Sequence, residues 1–256
     1  MKKYGICHRA YVPVRKEPSH ASEMVSQLIL GELYSIVEQS SCGEWYLILA
    51  HVDEYLGWIH KRNYSEISEQ LFQEHLQGIR FCNPHLQIVA KTVSEFRIIA
   101  PLGSFFYKIH NNAHLQVGNM QFKVPVEHQF KKADIIRTSK RLIGVPYLWG
   151  GKTVWGFDCS GFVQILYRTQ GIFLPRDAWQ QAQKGISIEF AMRQKGDLAF
   201  FTNDAGKVVH VGFLANRKQI FHASGEVRID SYDSCGIWSA SENCYTHRGI
   251  FLKRVL

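Results

Sequence analysis

The stretch YLWGGKTVWGFDCSGFVQ, residues 147–164, decides how the C-terminal half of this chain folds. Its second half continues as a buried helix from Asp158 to Thr169, closed by Gly171. Cys159 stands in the first turn of that helix. A thiol there meets the positive end of the helix dipole and several unpaired backbone amides. Both favour a thiolate at neutral pH. Gly161, just behind it, lets other backbone approach closely. Such a thiolate still needs a base or an ion-pair partner.

The flanking sequence supplies a scaffold. Upstream, KKADIIRTSKRLIG (131–144) places Ile135, Ile136, Leu142 and Ile143 at amphipathic spacing, and Gly144 and Pro146 stop the helix. Downstream, LPRDAWQQAQKG (174–185) reads as a short helix after a proline. Then come strands: DLAFFTN, KVVHVGFLA, QIFHASG, EVRID and GIFLKRVL. Helices first and antiparallel strands after them predict an α+β domain, a helix layer against a sheet. His210 and His222 sit on the second and third of these strands, with turn residues Asn216 to Lys218 between them. A hairpin would bring the two rings together. One would touch the cysteine, and the other would hold the first in a useful tautomer.

Residues 1–62 have a different texture. AYVPVRKEP, VSQLILGELYSIVEQ, EWYLILAHVD and YLGWIHK are short β-rich runs separated by turn signals. They suit a small barrel. Residues 63–79 read as a short helix or connector ending at Gly78. Residues 80–128 return to strand patterns, with a turn at Asn111-Asn112. The domains expected are therefore 1–62, 63–129 and 130–256.

Composition narrows the function classes. The 256 residues are 46% hydrophobic and 20% charged, ordinary for a folded domain protein. No run approaches the roughly 20 apolar residues of a membrane helix. The net charge of +8 is spread over scattered lysines and arginines, which argues against a nucleic-acid patch. None of the six cysteines forms a Cys-x-x-Cys pair, so a common structural zinc site is not expected. MKKYGICHRAYVPV lacks the apolar core of a secretory signal. The expected location is cytoplasmic, or periplasmic or secreted if a signal peptide has been removed.

Two resemblances follow from these motifs. VPVRKEPS, LILGELYSIVEQ, EWYLIL and YLGWIHK, in that order, resemble a bacterial SH3-like domain, and residues 80–128 resemble a second, degenerate one. YLWGGKTVWGFDCSGFVQ, GDLAFF, HVGFLA and IFHASG, in that order, resemble the NlpC family of papain-like cell-wall cysteine peptidases. The combination resembles gamma-D-glutamyl-L-diamino acid endopeptidases. It implies a papain-like α+β catalytic domain behind two SH3-like β-barrels. It implies Cys159 as nucleophile, His210 as base, His222 as the orienting residue and Tyr147 near the oxyanion. No metal or organic cofactor is implied. A Cys-His-His zinc site is the rival reading of the same residues.

The same resemblance implies a substrate: a murein-derived peptide with a free N-terminal L-alanine, cut between γ-D-glutamate and the diamino acid. Asp158, Glu23 and Tyr55 would recognise the ammonium. Ser160 would hold substrate backbone, and Asp177 would line the cleft. Plainer readings exist for four of these: Glu23 as a solvated loop carboxylate, Tyr55 as a surface aromatic, Asp177 as a helix N-terminal residue, Ser160 as a local cap. Two other functions remain open at this level. One is a non-catalytic wall-binding protein, and the other an amidase or acyltransferase of the same fold.

Overall fold

The computed structural model describes residues 2–108, 115–122 and 132–255. The turn expected at Asn111-Asn112 lies outside the described residues. The chain forms two compact units. The first is Met1–Ala133 with Lys152–Val154 and Arg168–Gly171; the second is Asp134–Gly151, Trp155–Tyr167 and Ile172–Leu256.

In the first unit, strands β1 (Tyr4–Ile6), β2 (Tyr11–Arg15), β3 (Met24–Ile29), β4 (Leu33–Gln39), β5 (Trp45–Ala50), β6 (Tyr55–His60) and β7 (Glu66–Ile67) make one sheet. Its order is β3-β2-β6-β5-β4-β1-β7. Alternation selects the buried face: Val12 and Val14 point inward with Leu28, Tyr34, Ile48 and Ile59. Helix α1 (Glu69–Gln77) follows, capped by the Ser68 hydroxyl, which accepts from the Leu71 amide at 3.1 Å.

Strands β8 (Arg80–Cys82), β9 (Gln87–Lys91), β10 (Arg97–Pro101), β11 (Phe105–Lys108), β12 (Leu115–Val117) and β13 (Met120–Phe122) follow in the same unit. They form a β9–β10 hairpin and a sheet ordered β13-β12-β11-β8. Here the expectation of two barrels needs correcting. Among the described residues neither set of strands closes on itself, and the second set has no separate core. Phe105, Phe106, Leu115, Val117 and Phe122 share one cluster with Tyr4, Ile6, Leu33, Ile67 and Phe72. The cause is local. Gly31 has φ of 86°, and a Cβ there would lie 2.1 Å from the Phe105 carbonyl oxygen. This close approach lets Leu30 O accept from Phe105 N at 2.9 Å, and the Tyr107 hydroxyl donate to Gly31 O at 2.7 Å. Beside it, Glu32 pairs in the interior with Arg168 Nη1 at 2.6 Å and Lys152 Nζ at 3.2 Å.

In the second unit, helix α2 (Ile135–Leu142) is capped by Asp134, whose Oδ1 accepts from the Ile136 and Arg137 amides. Helix α3 (Cys159–Arg168) is buried along its length, and α4 (Ala178–Gln181) is a single turn. The antiparallel sheet has eight strands: β14 (Ile186–Ile188), β15 (Leu198–Thr202), β16 (Val208–Leu214), β17 (Gln219–Ser224), β18 (Glu226–Asp233), β19 (Gly236–Ser239), β20 (Cys244–Arg248) and β21 (Phe251–Arg254). They run in the order β14-β21-β15-β16-β17-β18-β19-β20. Phe162 and Tyr167 of α3 pack on Phe213 of β16, with ring centroids 5.9 Å apart in each pair. Phe201, Leu214, Ile220, Tyr232, Ile237 and Leu252 fill another core cluster of the sheet. The fold is thus α+β but mostly sheet. Among the described residues no helix is long and apolar enough to cross a membrane.

Candidate active site

Cys159 is the first residue of α3, and the residue before it fixes that helix start. Asp158 Oδ1 accepts from Gly161 N at 2.7 Å, and its carbonyl accepts from Phe162 N at 3.0 Å. Asp158 Oδ2 accepts from Gly150 N at 2.9 Å. Arg176, 1% exposed, forks onto both carboxylate oxygens. Arg176 Nη1 also donates to Ser160 Oγ at 2.9 Å, and that hydroxyl donates to Asp158 Oδ1 at 3.3 Å. The carboxylate, with about four acceptor sites, thus meets five donors. A substrate amine would reach it only by sharing oxygens already held. Ser160 is engaged in the same closed network, and its carbonyl accepts from Gln181 Nε2 at 3.0 Å.

Close packing at this point depends on glycine. A Cβ on Gly161 would lie 2.2 Å from Gly151 O and 3.0 Å from Asp158 Oδ1. Backbone is the obstacle, so something rigid must move. Gly161→Ala is expected to cost about 1–3 kcal/mol of stability and to lower turnover as well, because the cap and Cys159 shift together. Thermal denaturation and peptide-cleavage rates read both; a variant indistinguishable from the wild type would contradict this packing.

Cys159 as a residue is only 8% exposed. Burial and the neighbouring Asp158 charge push its pKa up to about 12, against the lowering effect of the Val211 and Ser160 amides and of Arg176. The thiolate expected from the helix dipole is therefore corrected. Desolvation and a carboxylate at the same helix end outweigh the dipole, and the substrate-free state is a neutral thiol. Tyr147 is half-buried, and its amide donates to Gly225 O at 2.8 Å. Burial raises its phenol pKa, and a negative charge on Cys159 or Asp158 would push it the same way.

The Val211 amide that meets the sulfur belongs to β16, next to His210. Gly212 pairs with His222 across β16–β17, so His210 lies diagonal to His222. With no side chain at Gly212 the two rings meet: His210 Nε2 and His222 Nδ1 are 2.9 Å apart. A bulge between Phe201 and Thr202 interrupts the β15–β16 register beside His210 and turns the strand locally. On the far side, His222 pairs with Arg228 and lies diagonal to Asp230. His222 Nε2 is 2.9 Å from Asp230 Oδ2. Arg228 Nη2 donates to Asp230 Oδ1 at 3.1 Å, with Nε 2.6 Å from Oδ2. His247 of β20 stacks on His210, ring centroids 3.9 Å apart and 25° from parallel.

The three histidines bring nitrogen atoms within 4.8 Å of one another. They are nonetheless poorly arranged for zinc. His210 Nε2 is spent on His222. The His210 and His247 rings lie face to face, so their in-plane lone pairs run side by side instead of converging. The geometry is that of a hydrogen-bonded relay.

Burial holds all three rings neutral. It drives His210 well below the ordinary imidazole range, helped by His222 and His247. It lowers His222 against the upward pull of Asp230. It lowers His247 to about 4. For Asp230, burial pushes up, but His222 and Arg228 outweigh it and the net shift is down. These directions give a signed prediction. A histidine depressed in the folded state takes up protons first in the unfolded chain, so stability is present above about pH 6.5 and drains as pH falls. His210 and His222 each contribute a slope of up to about 1.4 kcal/mol per pH unit. The stabilisation from Asp230 is lost in the same direction at lower pH. Tm should fall steadily from about pH 7 to about pH 5; a flat or rising Tm would contradict neutral buried rings.

The other expected site residues are placed as follows. Asp177 is the N-cap of α4 in a reciprocal capping box with Gln180, whose Oε1 accepts from Asp177 N at 3.0 Å. Glu23 and Tyr55 belong to the first unit. Glu23 is exposed just before β3, with Lys16 Nζ 3.6 Å from its carboxylate. Tyr55 opens β6 and packs against the cluster of Val12, Val14 and Ile48. Asp230, Arg228 and His247 were not anticipated from sequence. Asp230 could have been: the Ser224-Gly225-Glu226 turn sets the β17–β18 register.

Comparison with known proteins fits this geometry. Residues 144–245 match the NlpC/P60 family and residues 14–63 match the bacterial dipeptidyl-peptidase Sh3 domain. A gamma-D-glutamyl-L-lysine dipeptidyl-peptidase of Bacillus cereus is 26% identical over 235 residues, covering 80% of this chain and 68% of that protein. The protein of the same name from Bacillus subtilis is 34% identical over 141 residues, covering 54% of this chain and 44% of its own length. The crystal structure of an NlpC/P60 family protein from Bacillus cereus superposes with a TM-score of 0.80 at 18% identity, covering 99% of each chain, which is a likeness of fold. The chain carries an NlpC/P60 cysteine peptidase domain behind a bacterial dipeptidyl-peptidase SH3 domain.

Proposed function

We propose that this peptidase hydrolyses murein peptides of the form L-Ala-γ-D-Glu-diamino acid, at the bond after γ-D-glutamate, in recycling or turnover of the cell wall. The observation that carries the reading is the relay Asp230–His222–His210, which ends on β16 where the Val211 amide meets the Cys159 sulfur. The curated relatives named above are gamma-D-glutamyl-L-lysine dipeptidyl-peptidases.

In this reading the Cys159 thiol gives its proton to His210 as sulfur bonds to the γ-carbonyl carbon. The oxyanion is held by the Cys159 amide and the Tyr147 hydroxyl. The C–N bond then breaks, and the His210 proton leaves with the diamino acid's amine. Water, deprotonated by His210, hydrolyses the thioester and restores the thiol. A neutral imidazole beside a neutral thiol suits this order, because the base is free to accept at the moment of attack.

Recognition of the free L-alanine amine is assigned to Glu23 and Tyr55, and lining of the cleft to Asp177; Ser160, held in the Asp158–Arg176 network, could reach substrate backbone only by sharing its hydrogen bonds. The test uses L-Ala-γ-D-Glu-L-Lys and its diaminopimelate analogue, each with a free and an acetylated N-terminus. The dipeptide L-Ala-γ-D-Glu should appear from the free peptides only. Glu23→Gln should raise KM about 10- to 100-fold, the worth of a charge-assisted hydrogen bond. Equal cleavage of acetylated peptides would remove the amine assignment, and cleavage at another bond would remove the substrate assignment.

A further inference from the structure

Asp230 touches no reacting group in the reading above, yet its contacts decide where two protons sit. His222 is 1% exposed, so both ring nitrogens must find partners within the protein. Nε2 faces Asp230 Oδ2 at 2.9 Å, and Nδ1 faces His210 Nε2 at 2.9 Å. Arg228, from the same strand as Asp230, keeps the carboxylate ionised. An ionised carboxylate only accepts hydrogen bonds. His222 must therefore carry its proton on Nε2. Being neutral, it then offers a bare Nδ1, which can only accept. The donor across that contact is His210, whose proton is thereby fixed on Nε2. The bare nitrogen of His210 is Nδ1. Neither His247, which stacks on the His210 ring, nor Phe201, an apolar ring tilted beside it that carries no hydrogen-bonding atom on its side chain, alters this assignment.

We propose that Asp230, clamped by Arg228, is a positioning residue that sets the tautomers of both His222 and His210 and so reserves the Nδ1 lone pair of His210 for the Cys159 proton. This rests on the nucleophile and base assignments of the proposed function. It adds that the relay is directional: a carboxylate two rings away from the sulfur fixes which nitrogen is basic. The imidazolium formed when the thiol proton arrives is flanked by two neutral rings, His222 and His247. Asp230 is the anion in that relay which balances it, with Arg228 as the opposing charge.

The test begins with the wild-type protein, labelled with 15N in its histidines. Long-range proton–nitrogen correlation spectra near neutral pH should show His222 and His210 both protonated on Nε2. Finding either ring protonated on Nδ1 overturns the proposal, whatever any variant does. The second measurement uses Asp230→Asn, whose amide can donate into His222 Nε2. It should shift the tautomer of at least one ring and lower kcat by about 100- to 10,000-fold with KM nearly unchanged. Asp230→Glu should recover part of the rate. Wild-type kcat in Asp230→Asn, or a lost rate with both tautomers intact, overturns the proposal. The spectra need no catalysis: if Cys159→Ala proved active, the nucleophile assignment would fail while the tautomer test stood.

Discussion

Cys159→Ala is expected to lower kcat for the murein tripeptide by at least about 10,000-fold and to leave the protein folded. Nothing nearby can take over. Cys7 and Cys82 belong to the first unit, and burial pushes each thiol up to about 12. Cys42, Cys235 and Cys244 are exposed. The structural cost is small because a neutral thiol is replaced by a methyl hydrogen, leaving a space of about one atom, worth roughly 1 kcal/mol. The Asp158 cap and the His210–His222 contact do not involve the sulfur. Mass-spectrometric assay of released dipeptide, with thermal denaturation as the folding control, reads the result. Turnover retained by a folded variant would remove the nucleophile assignment.

Asp158→Ala is expected to have the largest effect on stability. It strips the α3 cap and leaves Arg176 a buried cation without its carboxylate. Breaking a buried pair from one side costs about 3–5 kcal/mol, and the cap adds about 0.5–2 kcal/mol. Activity should fall with it, since the cap sets the position of Cys159. The double variant Asp158→Ala, Arg176→Met should recover much of the stability, because the stranded charge is gone. Denaturant titration separates the two. A single variant within about 1 kcal/mol of wild type would show that the network contributes little.

Much of this was legible in the sequence because the residues carry strong local signals. The α3 start was readable from Asp158-Cys159 followed by an apolar run, and the strands bearing His210 and His222 from their β-branched and aromatic content. The separation of the histidines across a turn implied their contact. What was missed depends on non-local geometry. Cys244–Arg248 is short, polar and weakly alternating, so β20, and with it the stacking of His247 on His210, had no signature. The ionisation of Cys159 was misread because sequence shows the helix end but not the burial that opposes it. The two barrels were misread because strand patterns do not reveal which cores merge, a matter settled by one close contact at Gly31.

The central claim is that one sulfur among six attacks the γ-glutamyl carbonyl. The most direct measurement is an acid-quenched single turnover with L-Ala-γ-D-Glu-L-Lys, followed by peptide mapping of the protein. The L-Ala-γ-D-Glu acyl group should be found as a thioester on the fragment that contains Cys159, and be absent after prior alkylation of the thiol. An acyl group on any other cysteine, or dipeptide release undiminished by alkylation of Cys159, would contradict it.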